Sequence, residues 1–263
     1  MKSGYNTTSA VVLNAIDYGE SDRIVTFYTT DYGKVAGIAK GARRSKKRFV
    51  NKLEPFSHIT LTFFHKEGRE LVRVDECRLK ENFYHLKNDL ERLAYGSYML
   101  ELLGAMTHEG ERHEGLFRLL LATLEMVEGE GVAERGALIF ETRLLSLLGY
   151  RPRLDGCLLC ASISDSVRYY FNSHKGGMVC APCGGGMTEL IPLSLGTARF
   201  LDSTARMDIR KVGRLIPNPV VMRESRTVLR HFVRYHVGRE LKSSQFLDHI
   251  RSLDSEVAAP VKC

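Results

Sequence analysis

Two pairs of cysteines, Cys157-Leu-Leu-Cys160 and Cys180-Ala-Pro-Cys183, constrain this chain more than any other feature. Their spacing is C-x2-C-x19-C-x2-C. Two intervening residues let both sulfurs of one knuckle reach the same ion, and two knuckles complete a closed tetrahedron. Between the knuckles, residues 167–171 and 177–179 read as short strands around an Asn172-Ser173-His174-Lys175-Gly176 turn, the pattern of a zinc ribbon over 151–190. Cys157, Cys160, Cys180 and Cys183 are therefore expected to hold one zinc per chain. Four thiolates leave no open coordination position, so the ion would be structural. The first residues, Met1 to Thr8, contain no apolar secretory segment, which predicts a cytoplasmic protein whose paired cysteines bind metal rather than form disulfides. Unmetallated thiols or a redox pair are the alternative.

Charge is the second constraint. Among 263 residues, 38 Lys+Arg against 31 Asp+Glu leave a formal +7. Residues 34–52 hold eight basic side chains (Lys34, Lys40, Arg43, Arg44, Lys46, Lys47, Arg48 and Lys52) and no acidic one. Such a run repels itself unless an anionic partner offsets it, and it fits a track for a nucleic-acid backbone. Tyr28, Tyr32, Phe49 and Phe56 lie close by as candidate stacking groups, with hairpin or core packing as the plainer role. A second basic excess spans residues 199–251, with twelve Lys+Arg and five Asp+Glu. There Arg223, Arg226, Arg230 and Arg234 fall on one helical stripe with no acid at i+4. The stripe suits an acidic peptide or DNA, and a solvated helix face is the plain alternative.

The apolar pattern divides the chain. Residues 9–77 read as five short strands with tight turns, which predicts a small barrel at 1–80, OB-like first and SH3-like second. Residues 81–150 take a helical period over 86–106, 116–127 and 132–148. Helical pattern returns over 191–251, at 195–201 and from Pro219 to Leu241. The cysteine module then reads as an insertion within one helical domain. Residues 252–263 have no periodicity and are expected to be a disordered tail. No apolar run approaches the ~20 residues of a transmembrane helix.

Several enzyme signatures fail. His108-Glu-Gly-Glu-Arg-His113 has one residue too many for HExxH, so its histidines would point about 140° apart on a helix. His65-Lys-Glu67 is not accompanied by the proline-cysteine pattern of the zinc deaminases. No phosphate-binding glycine loop and no nucleophile elbow is found. No catalytic residue is expected.

The strings Val11-Val12-Leu13, Tyr18-Gly19-Glu20-Ser21-Asp22, Ile24-Val25, Tyr32-Gly33-Lys34 and Ala39-Lys40-Gly41-Ala42-Arg43-Arg44 resemble the opening of the RecO family of bacterial recombinational DNA-repair proteins. The order of barrel, helices, cysteine pairs and helices matches as well. The resemblance implies an α+β multidomain protein with an N-terminal OB-fold β-barrel, an all-α helical domain and an inserted four-cysteine zinc ribbon. It also implies a nucleoid-associated, non-enzymatic mediator that binds single- and double-stranded DNA and anneals complementary strands. Such a mediator acts with RecR, and in many bacteria RecF, to load RecA onto DNA coated by single-strand-binding protein. Contact with the acidic C-terminal tail of that protein would fall to the arginine stripe and to Leu- and Phe-rich faces around Leu100, 116–121 and Phe232. An enzyme carrying a structural zinc ribbon and a zinc-containing transcription regulator are the competing readings.

Overall fold

A single long strand, β1 (Gly4–Tyr18), organises the N-terminal part. In the computed structural model, which describes residues 3–129 and 133–257 with side chains to residue 251, β1 serves two neighbours. Its first half pairs with β4 (His58–His65) and its second half with β2 (Asp22–Thr29). A register shift between Val12 and Asn14 lets the strand bend from one ladder to the other. With β3 (Gly33–Ala39) and β5 (Val72–Glu81) the order is β1-β2-β3-β5-β4, a closed barrel. Only the β3–β5 pair is parallel, at Gly37↔Val72 and Ile38↔Arg73. This is the OB arrangement, and the SH3-like alternative falls away. A Cβ on Gly37 would stand 2.8–2.9 Å from the Val74 and Val72 side chains, so the closing seam requires glycine there.

Alternation decides which residues fill the barrel. Val25, Phe27, Val35, Ile59, Leu61, Phe63, Val72 and Val74 point inward and are buried. The 18-residue connection from β3 to β4 contains a 3-10 turn at Ala42–Arg44 and sends Ala42, Phe49 and Leu53 into the same core. Its end is sewn to β1: Val12 N–H donates to Ser57 O, and Phe56 N–H donates to Val12 O, both at 3.0 Å.

Three helices belong to the same unit as the barrel: α1 (Tyr84–Asn88), α2 (Leu90–Met106) and α3 (Glu114–Glu128). The helix expected as one piece from residue 86 is split at Asp89. Asp89 takes an extended conformation, and its carboxylate accepts from the Arg92 N–H at 2.9 Å. His113 caps α3 by accepting from the Leu116 N–H, and His108 to His113 lie in a connection outside both helices. That connection is held by the β2–β3 turn. Gly33 has φ +62, and a Cβ there would meet the Glu111 carbonyl oxygen at 2.0 Å. Next to it, the Lys34 ammonium donates to the carbonyl oxygens of Gly104 (2.8 Å) and Thr107 at the end of α2.

The second unit starts after Gly129. The helical stretch anticipated as one body over 81–150 is divided there, with α4 (Ala133–Leu147) on the far side of the boundary. The ribbon strands β6 (Tyr169–Asn172) and β7 (Gly177–Cys180) form the expected hairpin. A third strand, β8 (Leu190–Leu193), joins the other edge of β6 and goes beyond the sequence expectation. Its tetrapeptide carries a proline, which weakens the strand signal. Then follow α5 (Leu195–Arg206), α6 (Ile209–Val212), α7 (Pro219–Val237) and α8 (Lys242–Val257). Asn218 and Pro219 start α7: the Val221 N–H donates to Asn218 Oδ1 at 2.9 Å. Helix α8 reaches into the segment expected to be a disordered tail, whose residues 258–263 lie outside the described residues. Among the described residues, no helix is long and apolar enough to cross a membrane.

The splice at Gly33 and Lys34 can be measured. Replacing Lys34 with Met leaves two helix-terminal carbonyls without their donor and should cost roughly 1–3 kcal/mol in urea unfolding. Gly33→Ala should cost more than about 1 kcal/mol, since positive φ and a backbone clash act together. Cys77 offers an independent readout. Burial pushes its thiol up to about 12, so it should resist alkylation at pH 8 in the native protein and become reactive faster in both variants.

Candidate metal centre and nucleic-acid interface

The two knuckles bring their sulfurs together as the spacing predicts. One ligand atom from each of Cys157, Cys160, Cys180 and Cys183 lies within 4.8 Å of the others. Cys160 Sγ and Cys180 Sγ are 3.7 Å apart. A disulfide needs roughly 2.0 Å, whereas Zn–S bonds of about 2.3 Å at tetrahedral angles set sulfurs roughly 3.8 Å apart. The donor set therefore fits a tetrahedral thiophilic ion. Backbone bonds hold the turns: Ala161 N–H to Cys157 O at 2.8 Å, Gly184 N–H to Cys180 O at 2.9 Å, and Leu158 N–H to Met178 O at 2.8 Å. The Cys180 N–H also points at Cys157 Sγ, 3.4 Å away. Burial raises the Cys157 thiol, but amides of Cys180, Cys160 and Leu159 outweigh it and bring the group to about 6. The neighbouring thiols of Cys180 and Cys160 push Cys183 up to about 12. Four adjacent sulfurs cannot all ionise without a cation between them.

The basic run separates into two kinds of residue. Lys40, Arg43, Arg44, Lys46, Lys47 and Arg48 are exposed on the β3–β4 connection, which rests on Phe49 (3% exposed) and Leu53 (1%). Several of these cations already have partners. Arg43 pairs with Asp17 at the end of β1 (3.3 Å) and Arg44 with Glu20 of the β1–β2 turn (3.8 Å). Arg48 donates to Lys40 O at 2.6 Å and lies 4.3 Å from the Phe49 ring centroid. Lys52 donates to the carbonyls of Lys47 and Arg48. Lys40, Lys46 and Lys47 form no salt bridge among the described residues, although the Gly41 amide and the Ser21 hydroxyl, with Lys40 after them, hold Asp22 below the ordinary carboxylate range. Lys34, expected on the backbone track, is turned instead onto the end of α2. Burial pulls its ammonium below the ordinary lysine range, and Glu109 offsets this in part.

The aromatic candidates take the plainer role. Tyr28, Phe49 and Phe56 are buried. Tyr32 is half-buried, packs edge-on against Phe63 and donates its hydroxyl to Asn6 Oδ1 at 3.0 Å. Exposed aromatics lie elsewhere, among them Tyr5 (66% exposed), Tyr18 and Tyr84 in the same unit. A hollow of about 710 Å³ lined by Ile38, Lys40, Phe64, Lys66, Arg69 and Arg73, among others, lies on the outer barrel surface. Its cations are inconspicuous in the sequence because Glu67, Glu70 and Asp75 are interleaved with them.

The arginine stripe on α7 is largely satisfied within the fold. Arg226 pairs with Glu134 of α4, its Nε donating at 2.6 Å. Arg230 meets Glu240 at 2.7 Å and Asp248 at 2.5 Å, and Arg234 lies 3.7 Å from Glu240. Arg251 joins Glu134 and Asp248 to the same network. Arg223 neighbours Glu224, whose carboxylate it helps hold below the ordinary range after the Ser194 and Thr197 hydroxyls have done most of that work against burial. Glu134 lies far upstream, and Glu240 and Asp248 follow α7, in the connection after it and in α8, so no i, i+4 rule detects either set. The apolar faces suggested for a peptide are also occupied: Leu100, Leu116, Leu119, Leu120 and Phe232 are core residues.

A serine–histidine contact exists on the barrel, Ser9 Oγ to His58 Nε2 at 2.8 Å, with Lys80 Nζ 2.9 Å from the same oxygen. It is poorly suited to catalysis. Burial first, and Lys80 second, push His58 down to about 4, which leaves the imidazole a weak base.

Comparison with known proteins agrees with this geometry. Residues 1–83 match the family model described as Recombination protein O N terminal, and residues 87–245 match Recombination protein O C terminal. A DNA repair protein RecO of Syntrophus aciditrophicus is 36% identical over 94% of this chain and 96% of its own length. One from Anaeromyxobacter sp. strain K is 34% identical over 93% and 96%, and one from Pelotomaculum thermopropionicum is 36% identical over 91% and 92%. With family models matched over residues 1–83 and 87–245 on an OB barrel, a helical part and a four-cysteine cluster, this chain belongs to the RecO family of DNA repair and recombination proteins.

Proposed function

We propose that the chain is a non-enzymatic, DNA-binding recombination mediator that works at the nucleoid in the cytoplasm. It binds single- and double-stranded DNA, brings complementary strands together, and acts with RecR and RecF to help load RecA onto DNA coated by single-strand-binding protein. The observation that carries this reading is the β3–β4 connection: Lys40, Lys46 and Lys47 stand exposed and without a salt bridge among the described residues, on a loop fixed from below by Phe49 and Leu53. Two phosphate chains repel one another. A fixed cationic surface lowers that repulsion by releasing counterions and holds the strands close enough to pair. No covalent step is needed, and the weak base at His58 fits that. The zinc, held by Cys157, Cys160, Cys180 and Cys183, would fix the ribbon and leave no coordination site for substrate. The tail of single-strand-binding protein remains a proposed partner, with Arg223, at the start of the stripe, as the contact least committed to internal acids. A zinc-containing transcription regulator would instead prefer one duplex sequence over random single strands, and an enzyme would turn over nucleotides or cut DNA.

Two measurements test this. Changing Lys40, Lys46 and Lys47 to Ala should lower the slope of log affinity against log salt by about 2 for a single strand, at roughly 0.7 per phosphate contact. Lys34→Met should leave the slope alone. An unchanged slope in the triple variant would remove the loop from the backbone track. Elemental analysis of protein purified without chelator should give one zinc per chain, and Cys160→Ser should abolish it and lower the thermal midpoint. Wild-type protein free of any metal would refute the zinc assignment.

A further inference from the structure

The barrel registers place a row of large side chains across the outer face. Tyr5 on β1 pairs with Phe64 on β4, Phe64 with Arg73 on β5, Arg73 with Ile38 on β3, and Ile38 with Ile24 on β2. Their inward neighbours Phe63, Val72, Val74 and Ala39 are buried in the core, so this row faces outward. An outward row on a barrel is ordinarily polar; this one holds two aromatics, two isoleucines and one arginine.

The row is preorganised. The Tyr5 and Phe64 rings meet edge to face with centroids 5.1 Å apart. The Arg73 guanidinium lies 5.5 Å from the Phe64 centroid, donates to the Tyr5 hydroxyl at 3.1 Å and is held on its other side by Asp75 at 3.0 Å. Tyr5 stays 66% exposed. From Tyr5 to Ile38 the row crosses three strand intervals, roughly 14 Å, long enough for two or three unpaired bases. Lys40, Lys66 and Arg69 rim the hollow over Ile38, Phe64 and Arg73, outnumbering the one carboxylate of its lining, Glu70. None of the three forms a salt bridge among the described residues. Lys40 also belongs to the β3–β4 loop and receives Arg48 on its carbonyl, so hollow and loop form one continuous cationic edge.

From this juxtaposition we infer that the Tyr5–Phe64–Arg73–Ile38 row is a platform for unpaired nucleic-acid bases, with Lys66 and Arg69 on the adjoining phosphates. The inference rests on the DNA-binding reading and deepens it. Aromatic faces accept any base, but only when the base is unstacked from a duplex, so the platform selects single strands while the β3–β4 loop serves either form. A strand laid on it keeps its bases apart from other strands until a complement displaces them.

Three labelled probes test this on the full chain by fluorescence anisotropy across a salt series: a twenty-nucleotide thymidine strand, an abasic strand of the same length, and a duplex of that length. Tyr5→Ala should weaken the thymidine strand about tenfold and leave the abasic strand and the duplex unchanged, with Tyr5→Phe restoring affinity. Lys66→Ala with Arg69→Ala should lower the single-strand salt slope by about 1.4 and barely change the duplex slope. Equal losses on thymidine and abasic strands, equal losses on strand and duplex, or no loss in either variant would overturn the platform. So would loss of acidic-peptide binding in Tyr5→Ala with every DNA affinity intact. The broader reading fails separately, if the wild-type chain binds none of the three probes. All of these residues are exposed or half-buried, and an unchanged thermal midpoint in Tyr5→Phe and in the double variant guards against misfolding.

Discussion

One ammonium group ties the barrel to its helices. Lys34 leaves the β2–β3 hairpin and donates to Gly104 O and Thr107 O, where α2 has exhausted its own donors and its dipole is negative. Gly33 beside it must lack a side chain for Glu111 to approach, and the Gly110 N–H returns to Lys34 O at 3.0 Å. Hairpin tip, helix end and the connection into α3 are thereby fixed together. This explains why the unit containing the barrel extends to Gly129 instead of ending with β5. Other helical contacts act beside it: Phe117 of α3 meets His58 of β4 edge to face, and α2 lies against β1, to whose Val12 the loop residues Phe56 and Ser57 are hydrogen-bonded. The basic loop therefore inherits its rigidity from packing on both sides.

The sulfur cluster plays the corresponding part in the second unit. Its knuckles are stitched to β7 through Leu158 and Cys180, and β8 continues the sheet beyond the second knuckle. Helix α5 starts directly after β8, at Ser194, whose hydroxyl and N–H both meet Glu224 of α7. The cysteine ribbon thus leads directly into the start of α5 and, through Ser194, is tied to α7 at Glu224. An ion held by the four cysteines would stabilise more than the hairpin itself, because folding and binding share one free energy at such sites.

The elements legible in the sequence are those with a local cause. Period-2 alternation around Val72 and Val74 marks β5, and Asn218-Pro219 marks the start of α7. C-x2-C spacing marks the knuckles. What escapes is set by partners distant along the chain. Nothing near Lys34 marks it as a helix cap, since its acceptors lie 70 and 73 residues away. The stripe on α7 looks unpaired because Glu134 lies 92 residues before Arg226, and because Glu240 reaches Arg230 and Arg234 only by the chain turning back after α7. Tyr5 and Phe64 become neighbours only when β1 and β4 pair, so no short window of sequence contains both. The split at Asp89 is local and still hidden, because a capping aspartate inside an apolar period looks like an exposed helical residue.

Sorting cations by their partners gives the charge of this protein its meaning. A guanidinium held by carboxylates, as at Arg226 and Arg230, has little left to offer a phosphate. Binding there would break pairs that already stabilise the fold. An ammonium without a partner, on a loop whose floor is buried Phe49 and Leu53, has no such pair to break, and its position loses little freedom when a phosphate arrives. Asp17 and Glu20 offset the two arginines nearest the β1–β2 turn, Asp22 lies within the field of Lys40, and Lys46 and Lys47 beyond them have no salt bridge among the described residues. Net charge alone would place the binding surface on either basic segment. Counting the charges left over after internal pairing strikes Arg226, Arg230 and Arg234 from the second segment. Among the exposed cations it leaves Lys40, Lys46 and Lys47 on the barrel loop, and Arg210, Lys211 and Arg214 around α6, without a salt bridge among the described residues.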